Sequence, residues 1–412
     1  MVFHYPPEAS SSGVLRTLKY SRYLQDYGWR VTVLTPESDA FEIVDPALEA
    51  QIPASVRVIR TRFLNTKRHL AWRGVYPSLL ALPDRWIGWL PWAVAAGKRL
   101  IETDPVDLIY STSPHATAHL IAMRLAKFSG KPWVADFRDP WFEEVPEPGD
   151  SSGPLFHRLN RWLEARAVAR STQVVASTTH LRDLMRTRYP QHADKIGAIL
   201  NGYDEADFAA LPVGSAADNE RMTIVHAGNI NAEYRDPRPL FRALRRAAAD
   251  GLLDPRRIHL RFIGGGSFGD SAEVTDEVAA CDLTGSVAFL PRVPYEQSLS
   301  ELSRADLLLL LQASADTVGL VPAKLYEYLR AQKPVLAMVL PGATTDVLAE
   351  TGGGWAVAPD DEATLARILA DAYRDWQQGA LSTRRANMNV LRRFDRKALT
   401  GDLAALFDRI AP

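Results

Sequence analysis

The sequence predicts an α/β protein built from two doubly wound parallel-sheet domains that face a central cleft. Three observations carry this. Short β-branched or apolar runs alternate with amphipathic helical stretches along almost the whole chain, which implies parallel sheets covered by helices on both faces. About a dozen such strands exceed one comfortable sheet. The polar stretch 211–222, LPVGSAADNERM, divides them into two sets of similar size and reads as a linker.

In chain order, the first set has strands at 30–35 (RVTVLT), 56–60 (VRVIR), 107–112 (DLIYST), 132–137 (PWVADF), 173–177 (QVVAS) and 196–200 (IGAIL). A short first strand, MVFHY, precedes them, and helical patterns over 14–27, 116–129 and 155–170 lie among them. The second set has strands at 222–228 (MTIVHAG), 258–264 (IHLRFIG), 287–291 (VAFLP), 305–312 (ADLLLLLQ), 334–339 (PVLAMV) and 355–358 (WAVA). In 321–338, VPAKLYEYLRAQKPVLAM, Leu325, Tyr328 and Leu329 form the i, i+3, i+4 stripe of a buried helix face, and Pro322 suits its first turn. Lys324 and Glu327 sit three apart at the start of that helix, either as a surface ion pair or as ligand-binding groups.

Composition narrows the function classes. Of 412 residues, 47% are hydrophobic and 24% charged, and the formal net charge is −1, so no global basic bias points to nucleic acid. The single Cys281 excludes an internal disulfide framework and argues against a structural zinc site. No apolar run reaches the roughly 18 residues of a membrane span, and the start lacks a signal-peptide pattern. The reading is a cytoplasmic protein. Within 62–99, Arg62, Lys67, Arg68, Arg73, Arg85, Lys98 and Arg99 interleave with Trp72, Trp86, Trp89 and Trp92. That stretch fits contact with the inner face of an anionic membrane, or equally a solvated basic face with tryptophans turned inward.

Ligands of doubly wound domains bind beyond the carboxyl ends of the strands, so the loops there hold the candidate residues. In the second half, HAGNINAEYRDPRP (226–239) places Gly228 and Asn229 at a strand end and Arg235 before the next helix. FIGGGSFGDS (262–271) contributes Gly264 and Gly265, and ASADTVGLVPAK (313–324) carries Gly319, Leu320 and Val321 up to Lys324. Glycines admit close backbone approach and helix N-termini attract anions. The three loops therefore describe a phosphate-bearing ligand with Arg235 and Lys324 as counter-charges. Gly264, Gly266 and Gly269 satisfy GxGxxG, but the next strand ends at Pro291 and Arg292 where dinucleotide binding needs an acid, so a nicotinamide cofactor is disfavoured. In the first half, ADFRDPW (135–141) gathers Asp136, Arg138 and Asp139, STSPHATAH (111–119) offers Ser113, His115 and His119, and YPPEASSSGV (5–14) contains Gly13. His115 and His119 have metal-compatible spacing without a third ligand, so no metal is expected. Arg138 with Asp139 is either a structural ion pair or a polar pair lining the cleft.

Taken together, these stretches, with LNGYDEADF at 200–208, resemble the GT-B glycosyltransferases, in particular the family 4 of retaining enzymes that use nucleotide sugars. The resemblance runs over nearly the whole length. It implies two Rossmann-like domains, an acceptor-binding one over 1–212 with a C-terminal helix, about 396–412, packed back on it, and a donor-binding one over 213–395. It further implies a UDP- or GDP-linked sugar as substrate, no metal, and a glycan or polyprenyl-linked acceptor in cell-surface polysaccharide synthesis. Glu327 matches the second glutamate of the family's EX7E motif, which holds the ribose hydroxyls. Arg235 and Lys324 would hold the diphosphate, Arg138 and Asp139 would join them around the reaction, and Gly13 would let backbone approach the diphosphate or the sugar. Ser113, His115 and Asp136 would line the acceptor side.

The chain departs from the family pattern twice. Gly319 stands where EX7E has its first glutamate, leaving those sugar contacts to a neighbour such as Asp316, and Arg138 stands where many relatives carry a histidine. Two other functions share the scaffold: a nucleotide-sugar 2-epimerase, which needs no acceptor, and a non-catalytic nucleotide-sugar-binding protein.

Overall fold

The computed structural model describes residues 1–11, 13–73, 76–142, 153–209, 211, 220–314 and 317–411. Most of the expected linker (212–219) and Asp316 lie outside the described residues. The chain forms two units, Met1–Asn201 with Arg396–Pro412, and Gly202–Asp395.

The first unit contains β1 (Thr32–Pro36), β2 (Arg57–Thr61), β3 (Ile109–Thr112), β4 (Trp133–Phe137), β5 (Gln173–Ala176) and β6 (Ile196–Ala198). β1 and β2 pair in parallel, and β3–β4–β5–β6 form a four-stranded parallel sheet. The amino-terminal segment ties the two groups together without being a strand: Val2 N–H donates to Leu34 O, and Thr112 N–H donates to Met1 O. Helices Gly13–Tyr23, Leu90–Thr103, Thr117–Ser129 and Gly153–Arg170 cover the strands. The helix Arg396–Ile410 belongs to this unit too, with Leu399, Leu403 and Phe407 clustered with Tyr20, Leu24 and Val134.

The second unit is one six-stranded parallel sheet in the order β12-β11-β10-β7-β8-β9. Its strands are β7 (Met222–Ala227), β8 (Ile258–Ile263), β9 (Val287–Leu290), β10 (Leu307–Gln312), β11 (Val335–Val339) and β12 (Gly354–Val357). β10, the most apolar strand, is central, and all six of its residues are buried. Burial on both faces removes the polar positions that a half-exposed strand would alternate with, which explains its run of five leucines. Helix Ala323–Arg330 follows it and buries Leu325, Tyr328 and Leu329.

The division falls about ten residues earlier than the expected 212/213 boundary. Tyr203 N–H donates to Phe394 O at 3.1 Å, and Arg330 Nε donates to Glu205 Oε2 at 2.6 Å, so 202–209 attaches to the second unit before the polar stretch begins. The sequence marks where polarity rises, whereas the unit boundary follows where the contacts change.

Candidate functional site

In the second unit, β7 ends at Ala227, and the next residue, Gly228, has φ +120°, a conformation L side chains rarely adopt. Helix Ala323–Arg330 delivers two side chains to this strand end. Lys324 Nζ donates to Ala227 O at 2.7 Å, and the hydroxyl of Tyr328 accepts from Ala227 N–H at 2.8 Å. Lys324 also uses the space that Gly228 leaves: a Cβ there would meet its Nζ at 2.5 Å. Burial, and secondarily the positive charge of Arg235, depress the Lys324 pKa to about 7, against a smaller upward pull from Glu327. Arg235 is half-buried before helix Arg238–Ala249, and its pKa too is lowered by burial. Its backbone is fixed by Asn231, whose Oδ1 accepts from Arg235 N–H at 3.2 Å and Tyr234 N–H at 2.7 Å.

The neighbouring loops are seated by specific contacts. Gly228 N–H donates to Ile263 O and Ile230 N–H to Gly265 O, which locks the β7 and β8 loops together. Gly264 and Gly266 have φ of +75° and +72°, and a Cβ on Gly266 would meet Asn229 Oδ1 at 2.3 Å. The loop with Gly319, Leu320 and Val321 is held from beneath: Gln312 Nε2 donates to Thr317 O at 2.8 Å, and the Thr344 hydroxyl lies 3.0 Å from Leu320 O. Glu327 is buried, and Tyr295 Oη donates to its Oε1 at 3.0 Å. The second unit thus gathers two cations, a carboxylate fixed by a phenol, and glycine loops at the carboxyl ends of β7, β8 and β10. Such a set suits a diphosphate with a diol-bearing sugar attached. Sequence reasoning missed Tyr295, Gln312 and Thr344.

In the first unit, the ends of β3, β4 and β5 bring Ser113, Arg138 and Ser177 together. Arg138 N–H donates to Ser113 Oγ, and Ser177 Oγ donates to Arg138 O, each at 2.7 Å. The Arg138 guanidinium lies on Gly13, with Nη1 1.7 Å from the point a Cβ would occupy. Asp139 is half-buried; burial raises its pKa, against the pull of Arg138. The His115 ring stacks on His4 at 5.1 Å, and burial followed by His4, Arg85 and Arg138 pushes its pKa well down. The loop preceding Gly13 is organised by Glu8, which accepts from Ser10 N–H at 2.7 Å and lies 3.0 Å from His4 Nδ1.

Two expected site residues are placed otherwise. Asp136 does not line an open surface: it is fully buried and accepts from Arg16 Nη2 at 2.9 Å, Tyr110 Oη at 2.6 Å and Thr112 Oγ1 at 2.7 Å. His119 is also fully buried, its Nδ1 2.8 Å from Ser111 Oγ, and burial drives its pKa to about 3. Among the described residues no group of three or more His, Cys, Asp or Glu is arranged to hold a metal ion.

The basic, tryptophan-rich stretch is split. Trp86 and Trp89 are core residues, with Trp89 Nε1–H donating to Thr61 Oγ1 at 2.8 Å. Trp72 is 79% exposed, and Leu64, Leu70, Leu79 and Leu80 of the same stretch are exposed too. Arg62, Lys67, Arg68 and Arg73 are likewise exposed. No helix among the described residues is long and apolar enough to cross a membrane.

Residues 14–207 match the family model "Glycosyltransferase Family 4", and residues 210–389 match "Glycosyl transferases group 1". A Pseudomonas aeruginosa protein described as "Probable glycosyltransferase WbjE" is 33% identical over 120 residues, which is 29% of this chain and 29% of that relative's length. Among solved structures, a glycosyltransferase from Rickettsia africae superposes with a TM-score of 0.69 at 14% identity, covering 99% of this chain and 98% of that one. Anabaena Alr3699/HepE in complex with UDP and glucose superposes at 0.66 with 17% identity, covering 99% of both chains.

Proposed function

The chain belongs to the GT-B glycosyltransferases of the family 4 type, and from that premise we propose that it moves a hexose or N-acetylhexosamine from a UDP- or GDP-linked donor to a glycan or polyprenyl-linked acceptor, with retention at the anomeric carbon. The observation that carries the donor reading is Lys324, a half-buried amine whose fixed partner is the backbone carbonyl of Ala227. A charge held this way is prepared for an anion, and Arg235 adds a second. Glu327 is the ribose ligand in this reading, already oriented by Tyr295. The bound UDP of the HepE structure is consistent with such a donor.

In the transfer, the bond from the anomeric carbon to the diphosphate oxygen breaks and a bond to the acceptor oxygen forms on the same face. The acceptor proton passes to the leaving phosphate. The leaving group takes the electron pair, so the protein's share is positioning and stabilising charge, which Lys324 and Arg235 supply without a metal.

The first unit takes the acceptor. Exposed Trp72, Leu70, Leu79 and Leu80 among exposed basic residues support work at an anionic membrane surface, where a polyprenyl-linked acceptor and a role in polysaccharide assembly would fit. The direct test is calorimetric titration with UDP- and GDP-sugars, followed by turnover with lipid-linked acceptor extracts. Binding without transfer to any acceptor would defeat the transferase assignment.

A further inference from the structure

The loop that follows β4, residues 138–142, is fastened at both ends. At its start, Ser113 Oγ accepts from Arg138 N–H and Ser177 Oγ donates to Arg138 O. At its far end, Trp141 N–H donates to Glu164 Oε2 at 3.1 Å, and Trp141 Nε1–H donates to Asn160 Oδ1 at 2.9 Å. Asn160 and Glu164 are buried one turn apart on helix Gly153–Arg170, so one helix face receives both N–H groups of a single tryptophan. Arg138, Asp139 and Pro140 stand between the two fastenings.

A carboxylate is a costly anchor. Glu164 is the only acid of its helix and is 1% exposed, whereas Arg158, Arg161, Arg166 and Arg170 of the same helix all face solvent. Burial raises the Glu164 pKa, against the pull of Tyr189 and Arg188. Besides Trp141 N–H, two donors hold the carboxylate: Tyr189 Oη at 2.6 Å and Arg188 Nη1 at 3.0 Å, both on Oε1. Arg188 ends helix Thr179–Arg188, and its guanidinium also lies 4.3 Å from the ring centre of Phe142. Apolar side chains of similar volume usually stabilise such a place at least as well. They cannot accept from the Trp141 amide, and that bond sets the path of the chain after Asp139.

We propose that Glu164 and Asn160 are positioning residues for transfer: by holding Trp141 they keep the loop with Arg138 and Asp139 in the conformation that serves the acceptor. The proposal rests on the reading above that the first unit takes the acceptor. Both residues are buried, so they act through the loop rather than on the substrate.

The test measures turnover of the full chain with the nucleotide sugar that binds it and the lipid-linked acceptor extract, beside nucleoside diphosphate affinity and melting midpoint. Glu164→Met combined with Arg188→Met and Tyr189→Phe replaces the buried polar hub by apolar groups. This triple variant should melt near the wild-type midpoint and bind nucleoside diphosphate within about twofold, yet lose about tenfold or more in turnover, as a displaced loop would cause. Asn160→Leu, which removes no charge, should lose about threefold or more at an unchanged midpoint. Glu164→Gln keeps a carbonyl oxygen for the Trp141 amide and should restore most of the turnover. A merely structural pair would move turnover only together with the midpoint. Wild-type turnover in the folded triple variant or in Asn160→Leu would overturn the proposal, and so would equal losses in the triple variant and Glu164→Gln. If the triple variant does not fold, Asn160→Leu alone decides. Wild-type turnover in both Arg138→Gln and Asp139→Asn would instead overturn the loop's part in transfer, since those variants leave Glu164 and Asn160 in place. No transfer by the wild type would defeat the transferase reading itself.

Discussion

Lys324 occupies the room that Gly228 leaves by having no side chain: its Nζ lies 2.5 Å from where a Cβ would stand and donates to the adjacent Ala227 carbonyl at 2.7 Å. The pair therefore works as a unit. Lys324→Ala should lower turnover by about 100-fold or more, the usual cost of losing a group that stabilises developing charge. It should leave the thermal midpoint unchanged or raised, since a half-buried, partly desolvated amine is removed. Gly228→Ala should reproduce the loss of turnover and also lower the midpoint, because φ +120° strains any L side chain. Steady-state kinetics with calorimetric melting separates the two variants; near-normal turnover in both would remove Lys324 from the reaction.

The depressed Lys324 pKa gives this site a pH signature. Below about 7 the amine is charged in both folded and unfolded chains; between about 7 and its ordinary 10.5 the unfolded chain binds more protons. This group's destabilising effect is therefore full at low pH and relieved as pH rises through that window. A diphosphate reverses the preference by favouring the charged amine. Nucleoside diphosphate binding at pH 8 should take up close to one proton, and affinity should fall by about tenfold per pH unit above 7 until the pKa of the complex is reached. Titrations in buffers of different ionisation enthalpy measure the uptake, and its absence in Lys324→Ala assigns it.

Tyr295 and Glu327 offer a test of the nucleoside half of the site. Glu327→Ala should weaken UDP or GDP binding while leaving inorganic pyrophosphate binding nearly unchanged, since only the nucleotide presents a diol. Tyr295→Phe removes the 3.0 Å hydrogen bond to Glu327 Oε1 and should produce a smaller loss, on the order of 1 kcal/mol. Equal losses for pyrophosphate and nucleotide would move Glu327 off the ribose.

How far the sequence reveals this molecule depends on how local each signal is. Twelve of the expected strands appear within two residues of their predicted ends, while MVFHY, read as a short first strand, does not form one; the clearest signal is a strand buried on both faces, such as β10, whose Leu307–Leu311 run is uninterruptedly apolar. Lys324, Gly228 and Gly264 are legible for a similar reason: strand-end glycines and helix starts mark ligand loops within a few residues. Tyr295 is not, since its partner is 32 positions away, and Asp136 looks available until Arg16, 120 positions earlier, closes on it. Trp72 and Trp89 are alike in the sequence, and only packing shows that one is in solvent and the other in the core.

Asp136 should accordingly behave as a structural residue. Burial opposes its ionisation, but Arg16, with hydrogen bonds from Tyr110 and Thr112, holds its pKa below the ordinary 3.8. Its stabilisation is present above 3.8 and lost as pH falls through the lower native value. Asp136→Ala leaves Arg16 buried without its counter-ion and should cost about 3–5 kcal/mol. Denaturant unfolding at neutral pH measures the loss, and the difference between variant and wild type should shrink below pH 4. A variant as stable as the wild type would return Asp136 to the list of site residues.

The exposed stretch around Trp72 makes the last prediction. Arg62, Lys67, Arg68 and Arg73 lie within a run that has no acidic residue from Arg62 to Pro83, and among its described residues Trp72 is the most exposed large apolar side chain, at 79%, followed by Leu70 and Leu79 at 50% each. Each basic group near an anionic surface is worth about 1 kcal/mol, so Lys67→Gln with Arg68→Gln and Arg73→Gln should weaken binding to phosphatidylglycerol vesicles by roughly 100-fold. Trp72→Ser should weaken it further and remove the change in tryptophan emission that insertion produces. Neither change touches a buried group, so folding should be unaffected, whereas Trp89→Ser would empty the core and cost about 3–5 kcal/mol. Vesicle flotation with phosphatidylglycerol against phosphatidylcholine measures the outcome. Equal recovery on both lipids, or no recovery on either, would show that this face is not a membrane contact.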